Sequence, residues 1–354
     1  MKIVFALPSM TGVPVGGFKI VYEYANRLAA RGHAVAVVHA GVAAGGGVGE
    51  RLRRRRLLGR VKRDPTMIAP WFDFDPRVEL TLVEKLAPDV LGRRNLVIAT
   101  AWETAEAVAA AVGNAGFYLI QGYESWGDEE AVRATWRLPL RKIVISGWLR
   151  DIAIEMGEGE RTVVIPNGLD LDRFGVDVSP AARGPRVGAL LGALKGEADV
   201  IAALGHARLR VPGLEAVTYG TRPRPDSLPK WVEHVRLPGP LELRALYNSC
   251  AIFLQASLAD GWGLSATEAM ACGCALITYD NGGSREYARD GQTAVVVDRG
   301  AERIAAAIVD LVERPDLREQ LARQGREAVS AFTWERAVGS LEEELHVTPV
   351  QGRQ

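Results

Sequence analysis

One stretch constrains the fold more than any other part of the chain, and it runs from Ile252 to Asp298. A short apolar run opens this stretch, and a polar, glycine-rich loop follows. Good helix formers then fill residues 265–272, and a second apolar run of strand length extends from Ala275 to Tyr279. The pattern predicts strand, loop, helix and strand, the repeating unit of an open parallel α/β sheet.

The loop and the start of the helix in this unit carry the candidate ligand-binding residues. Ligands of open α/β sheets bind at the carboxyl ends of the strands, and a helix that begins there presents unpaired N–H groups that suit phosphate. Asp260 lies in the loop and Glu268 lies in the helix, with seven residues between them. The pattern predicts that both carboxylates face one ligand site, although two acids at this spacing alone occur on many solvated helices.

The residues from Asp260 to Gly273 read DGWGLSATEAMACG. This run resembles the signature of family 4 retaining glycosyltransferases with the GT-B fold (glycosyl transferases group 1), in which seven residues separate an acid from a glutamate. The run from Asn281 to Glu286 and the pair Asp290-Gly291 continue the resemblance. The first acid is usually glutamate in that family, and Asp260 is shorter by one methylene.

The resemblance implies two Rossmann-like domains, each with a parallel α/β sheet, that face a central cleft. The chain of 354 residues is long enough for two domains of ordinary size. The implied boundaries place an acceptor-binding domain at 1–170 and a nucleotide-sugar-binding domain at 171–331. Residues 332–354 are expected to form a helix that crosses back to the first domain, followed by a frayed tail. On composition, the segment 175–185 is typical of a linker.

The resemblance places the donor in the second domain. It implies that Asp260 binds hydroxyls of the donor sugar, that Glu268 binds the ribose hydroxyls, and that Lys195 meets the diphosphate. These three are the candidate catalytic residues. The further candidate donor-binding residues flank the first acid or form the turn before residue 240: Gly261, Trp262, Gly263, Leu264 and Gly239.

Relatives also carry an arginine a few residues before this lysine, where this chain has Ala189 or a nearby apolar residue. The change removes one positive group from the implied diphosphate site. Arg222 and Arg224, which follow the next predicted strand, are candidates to replace it.

The candidate acceptor and phosphate-loop residues follow two predicted strands of the first domain. Gly16 and Gly17 precede a predicted helix, where they either let a substrate approach the backbone or form a tight turn that only packs. The loop is not GxGxxG, so a dinucleotide fingerprint is not supported. Tyr123 and Glu124 stand where many relatives carry a functional histidine. Glu124 is a candidate base or hydroxyl partner, and a structural loop is an equal alternative.

Eight arginine and lysine residues cluster between Arg51 and Arg63. A solvated surface is the favoured interpretation. The alternative is an anionic partner, either a membrane surface or a phosphate-bearing acceptor. Nucleic acid is disfavoured because the run lacks aromatic residues and the formal net charge of the chain is zero.

The cysteines and the first residues bear on the cellular compartment. Three cysteines do not form a disulfide framework, and Cys272-Gly-Cys274 has no histidine nearby, so small buried residues are favoured over a metal site. The apolar run after Met1 is too short for a signal peptide or a membrane span and is typical of a first buried strand. We therefore expect a cytoplasmic protein, with any membrane contact peripheral at the inner face.

The implied reaction is hexosyltransferase-type transfer, with retention, from a UDP- or dTDP-linked sugar to an acceptor hydroxyl in bacterial glycan assembly. It needs no metal or cofactor. The stretches GGFK at 16–19 and EAMACGCA at 268–275 also resemble bacterial rhamnosyltransferases, which favours a deoxysugar. The alternatives are a nucleotide-sugar epimerase or hydrolase and a catalytically silent sugar-nucleotide binding protein. The missing fingerprint argues against a dehydrogenase.

Overall fold

The computed structural model describes residues 1–41, 48–92, 95–124 and 128–347. These residues form two compact units. The first contains Met1–Pro166 and the chain from Ala337 onward, and the second contains Asn167–Arg336. The last helix starts in the second unit and joins the first, where its Glu342 pairs with Arg31 and His33.

In the described part of the chain, thirteen strands form two all-parallel sheets, one in each unit. The strands of the first unit are β1 (Lys2–Leu7), β2 (Ala34–Ala40), β3 (Glu79–Val83), β4 (Leu96–Ala99), β5 (Phe117–Ile120), β6 (Arg141–Val144) and β7 (Thr162–Val164). Those of the second unit are β8 (Arg186–Leu190), β9 (Glu215–Gly220), β10 (Glu233–Arg236), β11 (Ile252–Gln255), β12 (Ala275–Tyr279) and β13 (Val295–Val297).

Helices connect the strands. Over the same described ranges they are α1 (Gly16–Ala30), α2 (Val48–Arg63), α3 (Pro88–Leu91), α4 (Trp102–Val112), α5 (Glu129–Trp136), α6 (Gly147–Glu155), α7 (Glu197–Arg210), α8 (Pro240–Ser249), α9 (Leu264–Ala271), α10 (Ala301–Glu313), α11 (Pro315–Ser330) and α12 (Trp334–Val347). The prediction of an α/β protein with two Rossmann-like parallel sheets is confirmed.

The central strands are apolar along their length because both of their faces are covered. Every residue of β1 from Ile3 to Leu7 is buried, and β12 is buried from end to end. A sheet with one face in water would alternate apolar and polar residues, so these runs require helices on both sides.

Both sheets are wound in the same way about a central reversal. Their strand orders are β3-β2-β1-β4-β5-β6-β7 and β10-β9-β8-β11-β12-β13. In the second unit the chain leaves the centre after β8 and returns beside it as β11, with Ile252 opposite Val187 and Leu254 opposite Ala189. Ligands of such sheets bind at the carboxyl ends of the two strands that flank the reversal.

The start of α1 differs from its prediction. Val15 is the N-cap, so Gly16 and Gly17 lie in the first helical turn and not in a loop before the helix. The Lys19 N–H donates to the Val15 carbonyl at 2.9 Å, which closes this turn. Glycine is a poor helix former, and the apolar periodicity begins only after Gly17, so the predicted start of the helix was too late.

The segment 175–185, predicted as a linker, is instead packed into the second unit. Asn248 on α8 holds its backbone, because Oδ1 accepts from the Asp177 N–H at 2.7 Å and Nδ2 donates to the Gly175 carbonyl at 2.9 Å. Arg183, near the end of the segment, is 6% exposed. Turn-forming composition does not reveal that a distant helix binds the segment.

The Arg183 guanidinium closes the carboxyl-terminal ends of two helices. It donates to the carbonyls of Tyr247 and Cys250 at the end of α8, at 3.4 and 2.9 Å, and to that of Cys272 at the end of α9, at 2.6 Å. Carbonyls at helix ends have no partner within the helix, and a cation there also opposes the negative end of the helix dipole. Arg183 therefore joins the carboxyl-terminal ends of α8 and α9.

The basic run lies on α2. The side chains of Arg51–Arg55 lie outside the described residues. In the rest of the run Val61 is buried, and the charged side chains are exposed: Arg56, Arg60, Lys62 and Arg63. Within the described ranges, every helix falls short of the length and apolar composition needed to cross a bilayer.

The three cysteines are buried free thiols. Cys274 Sγ donates to the Cys250 carbonyl at 3.4 Å. Burial raises the pKa of Cys272 to about 12, which keeps this thiol protonated at neutral pH. The cysteines therefore act as packing residues, Cys250 between α8 and β11 and the other two between α9 and β12.

We predict that Arg183→Met lowers the free energy of unfolding by about 3 kcal/mol, because several buried carbonyls lose their donor. Urea unfolding followed by circular dichroism measures the loss. Arg236→Met is the control, since Arg236 is exposed and donates to the Thr221 carbonyl at 3.3 Å; a change below about 0.5 kcal/mol is expected. Equal losses in the two variants would contradict the role given to Arg183.

Candidate functional site

The reversal in the second sheet brings Lys195 and Asp260 together. Lys195 follows β8 and Asp260 follows β11, and these strands are hydrogen-bonded neighbours. Lys195 Nζ lies 2.5 Å from Asp260 Oδ2, although 65 positions separate the two residues. The lysine side chain is 36% exposed and the aspartate side chain 15%. An ion pair therefore stands at the carboxyl edge of the sheet, open to solvent on the lysine side.

The loop after β12 fixes the position of Asp260. Its N–H donates to the Asn281 carbonyl at 3.0 Å, and its carbonyl accepts from the Gly283 N–H at 2.9 Å. Its carboxylate also accepts from the Trp262 N–H at 3.3 Å and from Gln255 Nε2 at 3.5 Å. The backbone on both sides of the carboxylate is thus held, and only the side chain has freedom to exchange partners.

Two glycines let the loops around this pair come close to each other. Gly196, with a φ of +65°, is the N-cap of α7, and a Cβ there would overlap the Ala256 carbonyl. Gly263, with a φ of +100°, is the N-cap of α9, and a Cβ there would overlap Gln255 and the Tyr287 hydroxyl. Because Gly263 has no side chain, nothing from the cap itself covers the first N–H groups of α9, beginning with Leu264.

Glu268 lies one turn into α9 and is nearly enclosed. It is 6% exposed, and its Oε2 accepts a hydrogen bond from the Tyr247 hydroxyl at 3.1 Å. The Tyr247 hydroxyl also contacts that of Tyr219 at 2.6 Å. Burial raises the pKa of both tyrosines, so both hydroxyls keep their protons at neutral pH. Neither tyrosine was identified from the sequence, since no motif marks them.

Trp262 packs inside the second unit. Its indole is 3% exposed and meets Phe332 edge to face, with ring centroids 4.9 Å apart. Its carbonyl accepts from the Tyr287 hydroxyl at 2.7 Å. Trp262 contacts the Asp260 carboxylate through its backbone N–H. The backbone of Gly261, another predicted donor-binding residue, lies so close to Gly283 that a Cβ on Gly283 would overlap it.

The two candidate replacements for the missing arginine have different surroundings. Arg224 donates to the carbonyls of Val232, Leu228 and Pro229, at 2.5, 3.0 and 2.6 Å, and so braces its own loop. Arg222 is exposed and pairs with Glu197 in the first turn of α7, close in sequence to Lys195. Ala189 itself is fully buried in β8.

Gly239, the last predicted donor-binding residue, is the N-cap of α8, and its N–H donates to Glu242 Oε2 at 3.3 Å. The same helix carries Tyr247 in its last turn. Helix α8 therefore connects the turn at Gly239 with the carboxylate of Glu268.

Several buried polar atoms near Asp260 have no hydrogen-bond partner within the described residues. They are Gln255 Oε1, Ser257 Oγ and Asn281 Nδ2. Buried polar groups are normally paired, so an unpaired group needs a reason, such as a bound water or ligand. Their position at the end of β11 and on the loops after β11 and β12 is that expected of a site that binds a polar ligand.

The acceptor candidates follow β1 and β5 at the carboxyl edge of the first sheet. Gln121 Nε2 donates to the Gly17 carbonyl at 3.1 Å, which joins the end of β5 to the first turn of α1. Glu124 Oε2 accepts from the Trp102 N–H, at the start of α4, at 2.8 Å. The Tyr123 hydroxyl donates to Glu129 Oε1 at 3.3 Å on the exposed surface.

Glu124 titrates near neutral pH. Burial raises its pKa from the ordinary 4.5 to about 7, and the hydrogen bond from Trp102 opposes this rise. A carboxylate with a pKa near the working pH both accepts and releases a proton readily. Glu124 therefore has the acidity that a general base at this edge would need.

The family described as Glycosyltransferase Family 4 matches residues 15–173, and the family described as Glycosyl transferases group 1 matches residues 191–328. The second match lies within the second unit and includes Lys195, Asp260 and Glu268. The chain belongs to the family 4 glycosyltransferases. The family predicted from the run DGWGLSATEAMACG is therefore confirmed.

Curated glycosyltransferases are similar to part of this chain. The GDP-mannose-dependent alpha-(1-6)-phosphatidylinositol monomannoside mannosyltransferase of Mycobacterium tuberculosis is 29% identical over 229 residues, which are 56% of this chain and 59% of the relative. The D-inositol 3-phosphate glycosyltransferase of Geodermatophilus obscurus is 31% identical over 211 residues, 51% of this chain and 46% of the relative. The chain spans about half the length of the curated relatives it matches.

Solved structures share the fold of this chain over almost its whole length. Anabaena Alr3699/HepE in complex with UDP has a TM-score of 0.74 and 19% identity, covering 98% of this chain and 100% of that one. Sucrose-phosphate synthase from Thermosynechococcus elongatus has a TM-score of 0.74 and 17% identity, covering 99% and 100%. At these identities the likeness establishes the GT-B fold.

We predict that Glu124→Gln raises the melting temperature at pH 8 and leaves it nearly unchanged at pH 4.5. A carboxyl whose pKa is raised in the folded state contributes stability that is present below the unfolded pKa and is lost as the pH rises through about 7. Differential scanning calorimetry at the two pH values measures the change.

Glu106→Gln is the matched control, because Glu106 lies exposed on α4. It should shift the melting temperature equally at both pH values. A Glu124→Gln shift that is also independent of pH would contradict the assignment.

Proposed function

We propose that this chain is a retaining glycosyltransferase that moves a sugar from a nucleoside diphosphate sugar to an acceptor hydroxyl. The observation that carries the proposal is the Lys195–Asp260 pair, 2.5 Å apart at the reversal of the second sheet. The pair stands beside the open start of α9, and Glu268 lies one turn farther along that helix. A cation, a helix N-terminus and two carboxylates match the diphosphate, the sugar and the ribose of such a donor.

In this proposal the donor breaks the Lys195–Asp260 ion pair, and its diphosphate forms a new ion pair with Lys195. Lys195 leaves the Asp260 carboxylate and meets the diphosphate, which brings more negative charge than one carboxylate. Asp260 is then released to accept hydrogen bonds from hydroxyls of the donor sugar. The N–H groups that begin α9 add hydrogen bonds to the phosphate oxygens.

The chemical step breaks the bond between the anomeric carbon and the diphosphate oxygen. The sugar gains oxocarbenium character, and the leaving diphosphate gains negative charge. Lys195 and the start of α9 stabilise that charge where it develops. The acceptor hydroxyl attacks on the face that the diphosphate leaves and gives its proton to the leaving phosphate, so the configuration is retained.

The nucleoside of the donor is part of the proposal. The sequence favours UDP or dTDP, and Anabaena Alr3699/HepE is described in complex with UDP. The mycobacterial relative is described as GDP-mannose-dependent, so GDP is the third nucleotide to compare. Transfer of a deoxysugar, as in rhamnosyltransferases, stays a prediction.

We place the acceptor hydroxyl at the carboxyl edge of the first sheet, near Gly17 and Glu124. The half-buried position of Glu124 at this edge supports this choice, with Glu124 as a hydrogen-bond partner of the hydroxyl. Contact of the run Arg51–Arg63 with an anionic membrane or a phosphate-bearing acceptor also stays a prediction, as does the cytoplasmic location.

A thermal-shift panel of UDP, GDP, dTDP and ADP tests the donor assignment first. A ligand at 100 times its dissociation constant stabilises the folded state by about 2.7 kcal/mol. The selected nucleotide sugar is then incubated with and without acceptor. Consumption of the sugar donor without acceptor would favour the epimerase or hydrolase alternative, and failure of every nucleotide to bind would overturn the proposal.

We predict that Lys195→Met and Glu268→Ala each reduce turnover about 100-fold, the effect of losing one charge-stabilising contact. Steady-state kinetics with the selected donor measures the loss, and Lys230→Met, on the exposed surface of the same unit, is the control for a lysine that should not matter. Protein groups supply the charge in this mechanism, so EDTA should leave the rate unchanged. Normal turnover in both variants would exclude the assigned site.

A further inference from the structure

A chain of hydroxyl groups runs through the second unit to the Glu268 carboxylate. Tyr219 lies near the end of β9, Tyr247 lies in the last turn of α8, and Glu268 lies on α9. The two hydroxyl oxygens are 2.6 Å apart, and the Tyr247 oxygen is 3.1 Å from Glu268 Oε2. The chain thus joins three elements that the sequence motif does not connect.

The hydrogen bonds of this chain have one direction. The Tyr247 hydroxyl donates to Glu268, and a hydroxyl has only one proton to donate. In its contact with Tyr219 it must therefore accept, so Tyr219 donates to Tyr247. Accepting one hydrogen bond strengthens the hydroxyl as a donor to the next group.

The position of the Tyr247 hydroxyl is fixed by its surroundings. Its ring is fully buried and meets Phe174, Tyr219 and Phe253 edge to face, with centroids 5.5 to 6.0 Å apart. The backbone at this point is also held, because the Tyr247 carbonyl accepts from Arg183 at 3.4 Å. A hydroxyl with neither a mobile ring nor a mobile backbone holds Glu268 Oε2 in one place.

We propose that Tyr247, supported by Tyr219, is a positioning residue that orients the Glu268 carboxylate toward the donor ribose. It thereby sets the preference of the enzyme for ribonucleoside over 2′-deoxyribonucleoside diphosphates, so of the two nucleotides that the sequence favours the inference selects UDP over dTDP. The inference rests on the proposed function, in which Glu268 binds the ribose hydroxyls. A carboxylate whose Oε2 accepts from a fixed hydroxyl is held in one orientation. It then suits a ligand whose hydroxyl lies in the matching place better than one that lacks this hydroxyl.

A purely structural role for the same chain makes a different prediction. If the tyrosines only tie α8 and α9 together, their loss lowers stability and weakens both classes of nucleotide equally. The ratio of the two affinities would then remain unchanged. The ratio therefore separates positioning from packing.

The test is isothermal titration of UDP and 2′-deoxy-UDP, or of the guanosine pair if the panel selects GDP, into the wild type and Tyr247→Phe. The wild type should prefer the ribonucleotide, and the variant should lose about fivefold or more of that preference. Tyr279→Phe is the matched control, since its hydroxyl donates to Asp199 Oδ2 at 2.7 Å and accepts from the Gly300 N–H at 2.9 Å. It should keep the wild-type ratio.

A double-mutant cycle with Glu268→Gln tests whether Tyr247 acts through Glu268. In the Glu268→Gln background, Tyr247→Phe should change the ratio little, so the two effects should not add. Tyr219→Phe should shift the ratio in the same direction as Tyr247→Phe but less, and it serves as the test if Tyr247→Phe does not fold.

The possible failures are distinguishable. A wild type that prefers dTDP, that shows no preference, or that shows the same preference in the Tyr247→Phe variant would overturn this inference alone. A wild type that binds no nucleoside diphosphate would overturn the proposed function and this inference with it.

Discussion

The hydrogen-bonded pairing of β8 with β11 is the constraint on which the candidate site depends. The chain between them forms α7, β9, β10 and α8 before it returns to the centre of the sheet. Parallel strands end at the same edge, so this return brings Asp260 to Lys195 across 65 positions of sequence. Gly196 maintains the fit, because its backbone packs against the Ala256 carbonyl with no room for a Cβ. A shift in the register of β11 would move the acid away from the lysine.

The partial exposure of Lys195 decides what the ion pair is able to do. An ion pair that water still reaches contributes about 1 kcal/mol or less, because solvent screens it. Such a pair exchanges partners readily when a more highly charged group arrives. A buried pair would hold the lysine firmly, since breaking it leaves an uncompensated charge. The 36% exposure of the lysine side chain thus suits a residue that must pass from a carboxylate to a ligand.

The parts of the structure that depend on residues adjacent in sequence could be predicted from the sequence. The run predicted from Ala275 to Tyr279 matches β12 to the residue, and the apolar run after Met1 forms β1, because a strand buried on both faces is a continuous apolar run. The signature around Asp260 was readable because it is contiguous. The packed segment 175–185 was mispredicted, since Asn248 and Arg183 hold it through contacts with residues more than 60 positions away. Tyr219 and Tyr247 were missed for the same reason.

The two acids of the signature are held in different ways, and this difference bears on the shorter first acid. Glu268 is enclosed and hydrogen-bonded to a fixed tyrosine, so it is a static group. Asp260 has its backbone held on both sides by the loop that contains Asn281 and Gly283, and its short side chain just reaches Lys195. A glutamate on the same Cα would carry its carboxylate about 1.5 Å farther, the length of one carbon–carbon bond. In a loop pinned this firmly, the aspartate is the side chain whose length fits the gap to the lysine.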